Sequence, residues 1–141
     1  MSRNPRRPAD RGASSLELAM LTPLLVAVIL LVVQFALVYH AQHVALAAAQ
    51  DGARVARGDD TAGWQTSAEQ RARKSVLNYG PRLLGEPQVT VGGDGYQRWV
   101  EVRGKAVEVI PGFKFNVTKR AGGPRECFRP DVGEGTQCEN P

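Results

Sequence analysis

The chain is poor in the residues that do chemistry. Its 141 residues include two histidines and two cysteines. His40 and His43 stand three apart and can share a helix face, but no third ligand lies near them, so they read as interfacial residues and no metal site is expected. No Ser-His-Asp or Cys-His arrangement can be assembled. No catalytic residue is therefore assigned, and the chain is not read as an enzyme. The glycines at 92, 93 and 95 precede a strand pattern rather than a helix, which removes them as a phosphate cradle, and no cofactor is expected. Aromatic residues make up 6%. No basic stripe is interleaved with them, so no nucleic-acid partner is expected. Asn116-Val117-Thr118 fits the glycosylation triplet, which is common by chance.

Charge is also missing where its absence matters most. From Leu18 to Tyr39 the chain reads LAMLTPLLVAVILLVVQFALVY, 22 residues without an ionisable acid or base apart from the terminal tyrosine. As a helix this run is about 33 Å long, which matches a bilayer core of ~30 Å. Pro23 and Gln34 interrupt it. Pro23 removes one backbone hydrogen bond and is expected to bend the helix, with Thr22 placed to bond a freed carbonyl. Tyr39, His40, Gln42 and His43 mark the second interface. Two alternatives compete with a membrane span. One is a buried core helix, for which a single modest domain has little room. The other is a secretory signal cut at Ala45-Leu46-Ala47 or Ala47-Ala48-Ala49, but the apolar run exceeds the 7–15 residues of a signal core.

The positive charge is concentrated ahead of the run. Residues 1–12 carry Arg3, Arg6, Arg7 and Arg11 against Asp10, a net +3, and the remaining 129 residues carry only +1. Basic flanks are retained in the cytoplasm, so the N-terminus is expected inside and residues 44–141 outside the cytoplasm.

At the junction stands Arg11-Gly12-Ala13-Ser14-Ser15-Leu16-Glu17. Gly12 allows an extended backbone. Ser14-x-x-Glu17 also fits a capping box that starts the membrane helix, and an acid there is favourable in any case. The order of basic leader, glycine, glutamate five residues on and long apolar run resembles the processing site of type IV prepilins. That resemblance implies a peptidase cut between Gly12 and Ala13, and a mature chain whose Glu17 neutralises an amine in apolar surroundings. Leu16-Glu17-Leu18-Ala19, Thr22-Pro23-Leu24-Leu25 and the run from Ala47 through Gln50-Asp51-Gly52-Ala53-Arg54-Val55-Ala56 are similar to TadE-like proteins of tight-adherence (Flp) pilus systems. Thr118 to Pro130 resembles the closing strand and tail of that family, the tail being Gly123-Pro124-Arg125-Glu126-Cys127-Phe128-Arg129. Leu18 replaces the tyrosine of major Flp pilins, which are also much shorter, and Asp51 replaces a frequent glutamate. The resemblance implies a pseudopilin or minor component, with the membrane, a prepilin peptidase and other pilin-like subunits as partners.

Beyond the membrane run, good helix formers continue from Val44, and Gly58 is a stop. A helix over 16–57 would be about 63 Å long. Its charged end, Asp51, Arg54 and Arg57, reads as a solvated face. Thr66-x-x-Glu69 is a capping box for a second helix ending at Gly80-Pro81, with Ala68, Ala72, Val76 and Tyr79 as a stripe that packs on strands. Val89 and Val91 alternate with polar residues ahead of a turn at Gly92-Gly93-Asp94-Gly95. The phase of Val100 and Val102 reverses at Val107 and Val109, which predicts a bulge or a corner near Gly104. Pro111-Gly112 turns the chain into a last strand carrying Phe113, Phe115 and Val117. A bond between Cys127 and Cys138 would close a loop of about 12 residues worth roughly 3 kcal/mol; two free thiols are the alternative.

The expected architecture is α+β. Residues 1–12 are a cytoplasmic leader and 13–57 a membrane-spanning, extended helix with its apolar core at 18–39. A helix-plus-sheet domain follows over 58–126, and then a tail over 127–141. The expected role is a structural pilin-like component of the cytoplasmic membrane. The alternative is an uncleaved, membrane-anchored binding module.

Overall fold

The computed structural model describes residues 10–59, 61–94 and 96–126, with side chains from Ser15 onward. The expected α+β class is borne out. Helix α1 (Asp10–Gly58) is followed by α2 (Trp64–Tyr79), β1 (Leu84–Gly93), β2 (Gln97–Ala106) and β3 (Asn116–Pro124). The strands form one antiparallel sheet in the order β1-β2-β3.

Helix α1 runs unbroken through Pro23. Thr22 Oγ1 donates to Leu18 O at 2.6 Å. The carbonyl that Pro23 leaves without its amide is that of Ala19, four residues back, so Thr22 serves its own turn rather than the freed group. Every described residue from 15 to 33 is exposed. The C-terminal half buries a face at Gln34, Val38, Ala41, Ala45, Ala48, Gly52 and Ala56. The spacing of three and four is that of one helix face. This face packs against β2 and β3 on one side and α2 on the other.

The interface is built from small residues so that the elements approach closely. A Cβ added at Gly52 would lie 2.9 Å from Ala72 Cβ, 3.0 Å from Ala68 O and 3.1 Å from Val100 Cγ1. The stripe of α2 therefore meets α1 first and β1 second, not the strands alone. Ser75 joins Ala68, Ala72 and Val76 in the buried set, while Tyr79 is exposed.

Helix α2 begins at Trp64, two residues before the expected capping box, after Gly63 and without a side-chain cap. Glu69 is then too far inside to reach the helix start. It pairs with Arg73 one turn on, at 2.8 Å. The stop at Gly80 is as expected, its amide donating to Val76 O at 3.0 Å.

In the sheet, Val100, Val102 and Val117 face the helices. The expected bulge near Gly104 lies across the ladder instead, in β1 between Gly85 and Gln88, where Glu86 adopts φ 49°. Gly104 is needed for a different reason: a Cβ there would stand 2.5 Å from Leu84 Cγ, and Leu84 is fully buried. The reversed phase at Val107 and Val109 marks the end of β2. The last strand likewise starts at Asn116, later than expected, and runs on through Lys119, Arg120, Gly122 and Gly123. Residues 107–115 form a loop whose neck is closed by Ala106 N donating to Phe115 O at 2.9 Å.

Gly52→Val should lower the stability of the full chain in detergent micelles by about 1–3 kcal/mol, because overpacking forces α1 and α2 apart. A denaturant melt reads the change, and an unchanged midpoint would show that the helices do not depend on this approach.

Candidate functional site

The features that can carry function lie along α1: its N-terminal junction, its bare apolar length, and the points where the folded part grips it. Helix α1 begins at Asp10. Gly12, Ala13 and Ser14 are thus helical, and Glu17 is exposed on the second turn. Ser14 thus lies inside the helix rather than at its start. Ala13 and Glu17 are four apart and share a face.

The exposed stretch over 15–33 makes α1 the one helix among the described residues that is long and apolar enough to cross a membrane. Leu18 (67%) and Leu24 (61%) are as bare as any surface residue. No element among the described residues covers them, which speaks against a buried core helix as the reason for the apolar run.

The grip begins at Gln34. Although it sits within the apolar run, its side chain is buried. Gln34 Nε2 donates to Val107 O at 3.0 Å, and Gln34 Oε1 accepts from Val109 N at 2.7 Å and Ile110 N at 3.2 Å. One amide side chain thereby satisfies three backbone groups of the β2–β3 loop. The ring of Phe35 lies 6.2 Å from that of Phe115, and Phe113 is 6.4 Å from Phe115.

A second grip is at Asp51. Its Oδ2 accepts from Ser75 Oγ at 2.6 Å and from Tyr79 Oη at 3.0 Å, tying α1 to α2. The expected solvated face is therefore a helix contact on this side, and Arg57 is likewise engaged, 3.1 Å from Glu126. The Ser75 hydroxyl holds the Asp51 carboxyl below the usual carboxylate range; Tyr79, Arg71 and Arg54 act the same way, against partial burial. Asp51 in turn pushes the Tyr79 phenol up.

The third grip is Arg98, buried on β2. Its Nη1 donates to Ala56 O at 2.6 Å and also to Asp59 O, and its guanidinium lies 4.4 Å from the Trp64 ring centre. A cation on the last carbonyls of α1 suits the negative end of the helix. Sequence reasoning missed Gln34, Ser75 and Arg98 in these roles. The signal for Gln34 was present, since a lone amide inside an apolar run requires a partner.

His43 packs edge-on against Tyr39 at 4.4 Å. Among the described residues no three His, Cys, Asp or Glu side chains gather to hold a metal ion. Cys127 and Cys138 lie outside the described residues.

Two outcomes follow. Gln34→Leu should orphan the loop donors, at roughly 1–3 kcal/mol per group. Hydrogen exchange at Val109 and Ile110 should then speed up while Val100 and Val102 stay protected; unchanged exchange at the loop would show the amide idle. For Asp51, a lowered carboxyl contributes stability that is present above the ordinary carboxylate range and lost as pH falls through it. Asp51→Asn should therefore flatten the loss of stability between about pH 5 and pH 2 relative to the parent chain. Parallel melts across that window measure it.

A family model described as TadE-like protein matches residues 12–54. No curated protein and no solved structure matches the chain. The match takes in Gly12, Glu17, Gln34, Asp51 and Gly52 and covers less than half of the chain. From the junction through the membrane-length helix to the contact with α2, the chain is similar to TadE-like proteins.

Proposed function

We propose that the chain is a structural, non-enzymatic pilin-like component of a tight-adherence pilus system. It is held in the cytoplasmic membrane with its N-terminus inside and its helix-and-sheet part outside. The observation that carries this reading is the division of α1. One half is bare and apolar over 15–33, and the other half is built into the core of a small domain. A helix divided in this way holds a small domain to a bilayer and leaves a long apolar face for neighbouring subunits. The TadE-like match over 12–54 supports association with such a system, and the net +3 ahead of the helix supports the orientation. Signal cleavage near Ala47 fits poorly, because it would strip Gln34, Val38, Ala41 and Ala45 from the core.

In this reading a prepilin peptidase cuts between Gly12 and Ala13. Gly12 within the first turns of a helix weakens it by about 1 kcal/mol relative to alanine, which favours the extended backbone a protease cleft needs. Cutting leaves an amine on Ala13. Glu17, on the same face, is the charge that neutralises this amine or that of a neighbouring subunit. An unpaired charge in an apolar setting is costly, so the pair sets the register in which subunits assemble.

Gly12→Trp should block cutting. Glu17→Gln should leave cutting intact and weaken assembly, since removing one partner of a buried pair costs about 3–5 kcal/mol. Mass spectrometry of the mature N-terminus reads the first step, and recovery of assembled pilus or co-purified subunits reads the second. An intact Met1 end, or removal of the methionine alone, would overturn processing and leave an uncleaved anchored module. Normal assembly with Glu17→Gln would overturn the charge pairing.

A further inference from the structure

The β2–β3 loop lies at an unexpected level. Gln34 is the 17th residue after Glu17, so the two are about 26 Å apart along α1. A hydrocarbon core of ~30 Å measured from Glu17 ends near Leu37. The loop bonded to Gln34 therefore sits at the edge of the bilayer, or just inside it, on the side of the folded part. It does so with apolar groups turned outward: Val109 is 36% exposed and Phe113 49%, beside Phe35 at 55% and Tyr39 at 65% on α1.

The backbone of this loop is prepared for such a place. Irregular chain in lipid is costly chiefly because its N–H groups lose water. From Val109 to Phe113 every donor is accounted for. Val109 N and Ile110 N give to Gln34, Pro111 has none, Gly112 N gives to the Glu108 carboxylate, and Phe113 N gives to Ile110 O at 3.1 Å. A loop in water has no need of this. The two charged side chains, Glu108 and Lys114, are exposed and flank the apolar tip. They keep it at the headgroup boundary rather than deeper, the lysine by extending toward phosphates.

We propose that the loop over 107–115 is a lipid-binding foot, whose Val109 and Phe113 rest in the outer edge of the acyl region of the leaflet nearest the folded part. The occupant of this apolar surface is the bilayer because the surface is continuous with the exposed span and level with its end. The proposal rests on the reading of α1 as a membrane span. With it, the domain is held at two points rather than one, and its rotation about α1 is restricted.

The test uses the full chain in phosphatidylcholine vesicles whose acyl chains carry bromine either near the headgroup or near the methyl end. The native Trp64 and Trp99 lie at the far end of the domain, about 20 Å or more from the loop along α1 and β2, and supply a constant background. Phe113→Trp adds a reporter at an exposed aromatic position, and Val28→Trp reports on the middle of the span. The expected result is loss of the added Phe113→Trp emission with headgroup-side bromine and less loss with deep bromine. Val28→Trp should show the opposite order. If Val28→Trp is quenched and Phe113→Trp is not, the span stands and the foot is overturned. The same conclusion follows if Phe113→Trp emission is blue-shifted yet unquenched, since a second copy then covers the loop. If neither is quenched, the span itself is wrong and the foot falls with it.

Discussion

A polar amide buried within an apolar helix is the constraint on which the arrangement depends. Gln34 is the first covered residue after the bare stretch over 15–33, and its partners come 73 to 76 residues later in the chain. Leaving its amide unpaired in that setting would cost several kcal/mol. The contact therefore determines where along α1 the domain sits, and so how much helix is left free. A slide of one turn in either direction would strand both the amide and the loop's backbone groups.

The rest of the core could not hold that register alone. The α1 face is mostly alanine, and the largest fully buried side chains are Leu84, Gln34, Val76, Val100 and Val102. Small residues allow close approach but bury little area each, so the apolar contribution is modest and only weakly directional. Direction comes from polar ties spaced along the helix. Gln34 holds the β2–β3 loop, Asp51 holds α2 through Ser75 and Tyr79, and Arg98 holds the last carbonyls of α1. The TadE-like stretch over 12–54 contains the first two of these and the Gly52 contact, but not the third.

Much of this plan can be read from the residues in order. The uncharged run, the alanine-rich continuation and the stop at Gly80-Pro81 are local signals, and the elements formed where they pointed; the turn expected from Gly92 comes later, since Gly92 and Gly93 still pair with Trp99 and Arg98. What could not be read depends on long-range contact. Asp51, Arg54 and Arg57 look like a solvated face until α2 folds back and Ser75 and Tyr79 reach Asp51. The loop over 107–115 resembles strand because Val107, Val109, Phe113 and Phe115 have strand-forming side chains; the Gln34 amide and the Glu108 carboxylate take the hydrogen bonds that a neighbouring strand would otherwise take. Residues 119–124 are polar and glycine-rich and carry little strand signal of their own; they pair with Gln97–Val102 once that ladder exists. At the N-terminal junction, Gly12 and Glu17 were legible as a pattern, whereas the inclusion of Gly12 itself in the helix was not.

If α1 spans a bilayer as proposed, the spacing of Glu17 and Gln34 gauges its thickness, because the loop docked on Gln34 ends the free length of the helix before the apolar run itself ends. Two polar side chains about 26 Å apart bracket a stretch slightly shorter than an average hydrocarbon core. A helix of this length fits a thin bilayer without strain, and in a thicker one it draws the lipid inward around itself. Mismatch of this kind attracts other short spans, because clustered helices share one thinned patch of membrane instead of each deforming its own. On the proposed reading of α1 as a span, the position of one buried glutamine favours neighbours cut to the same length, before any of their side chains touch.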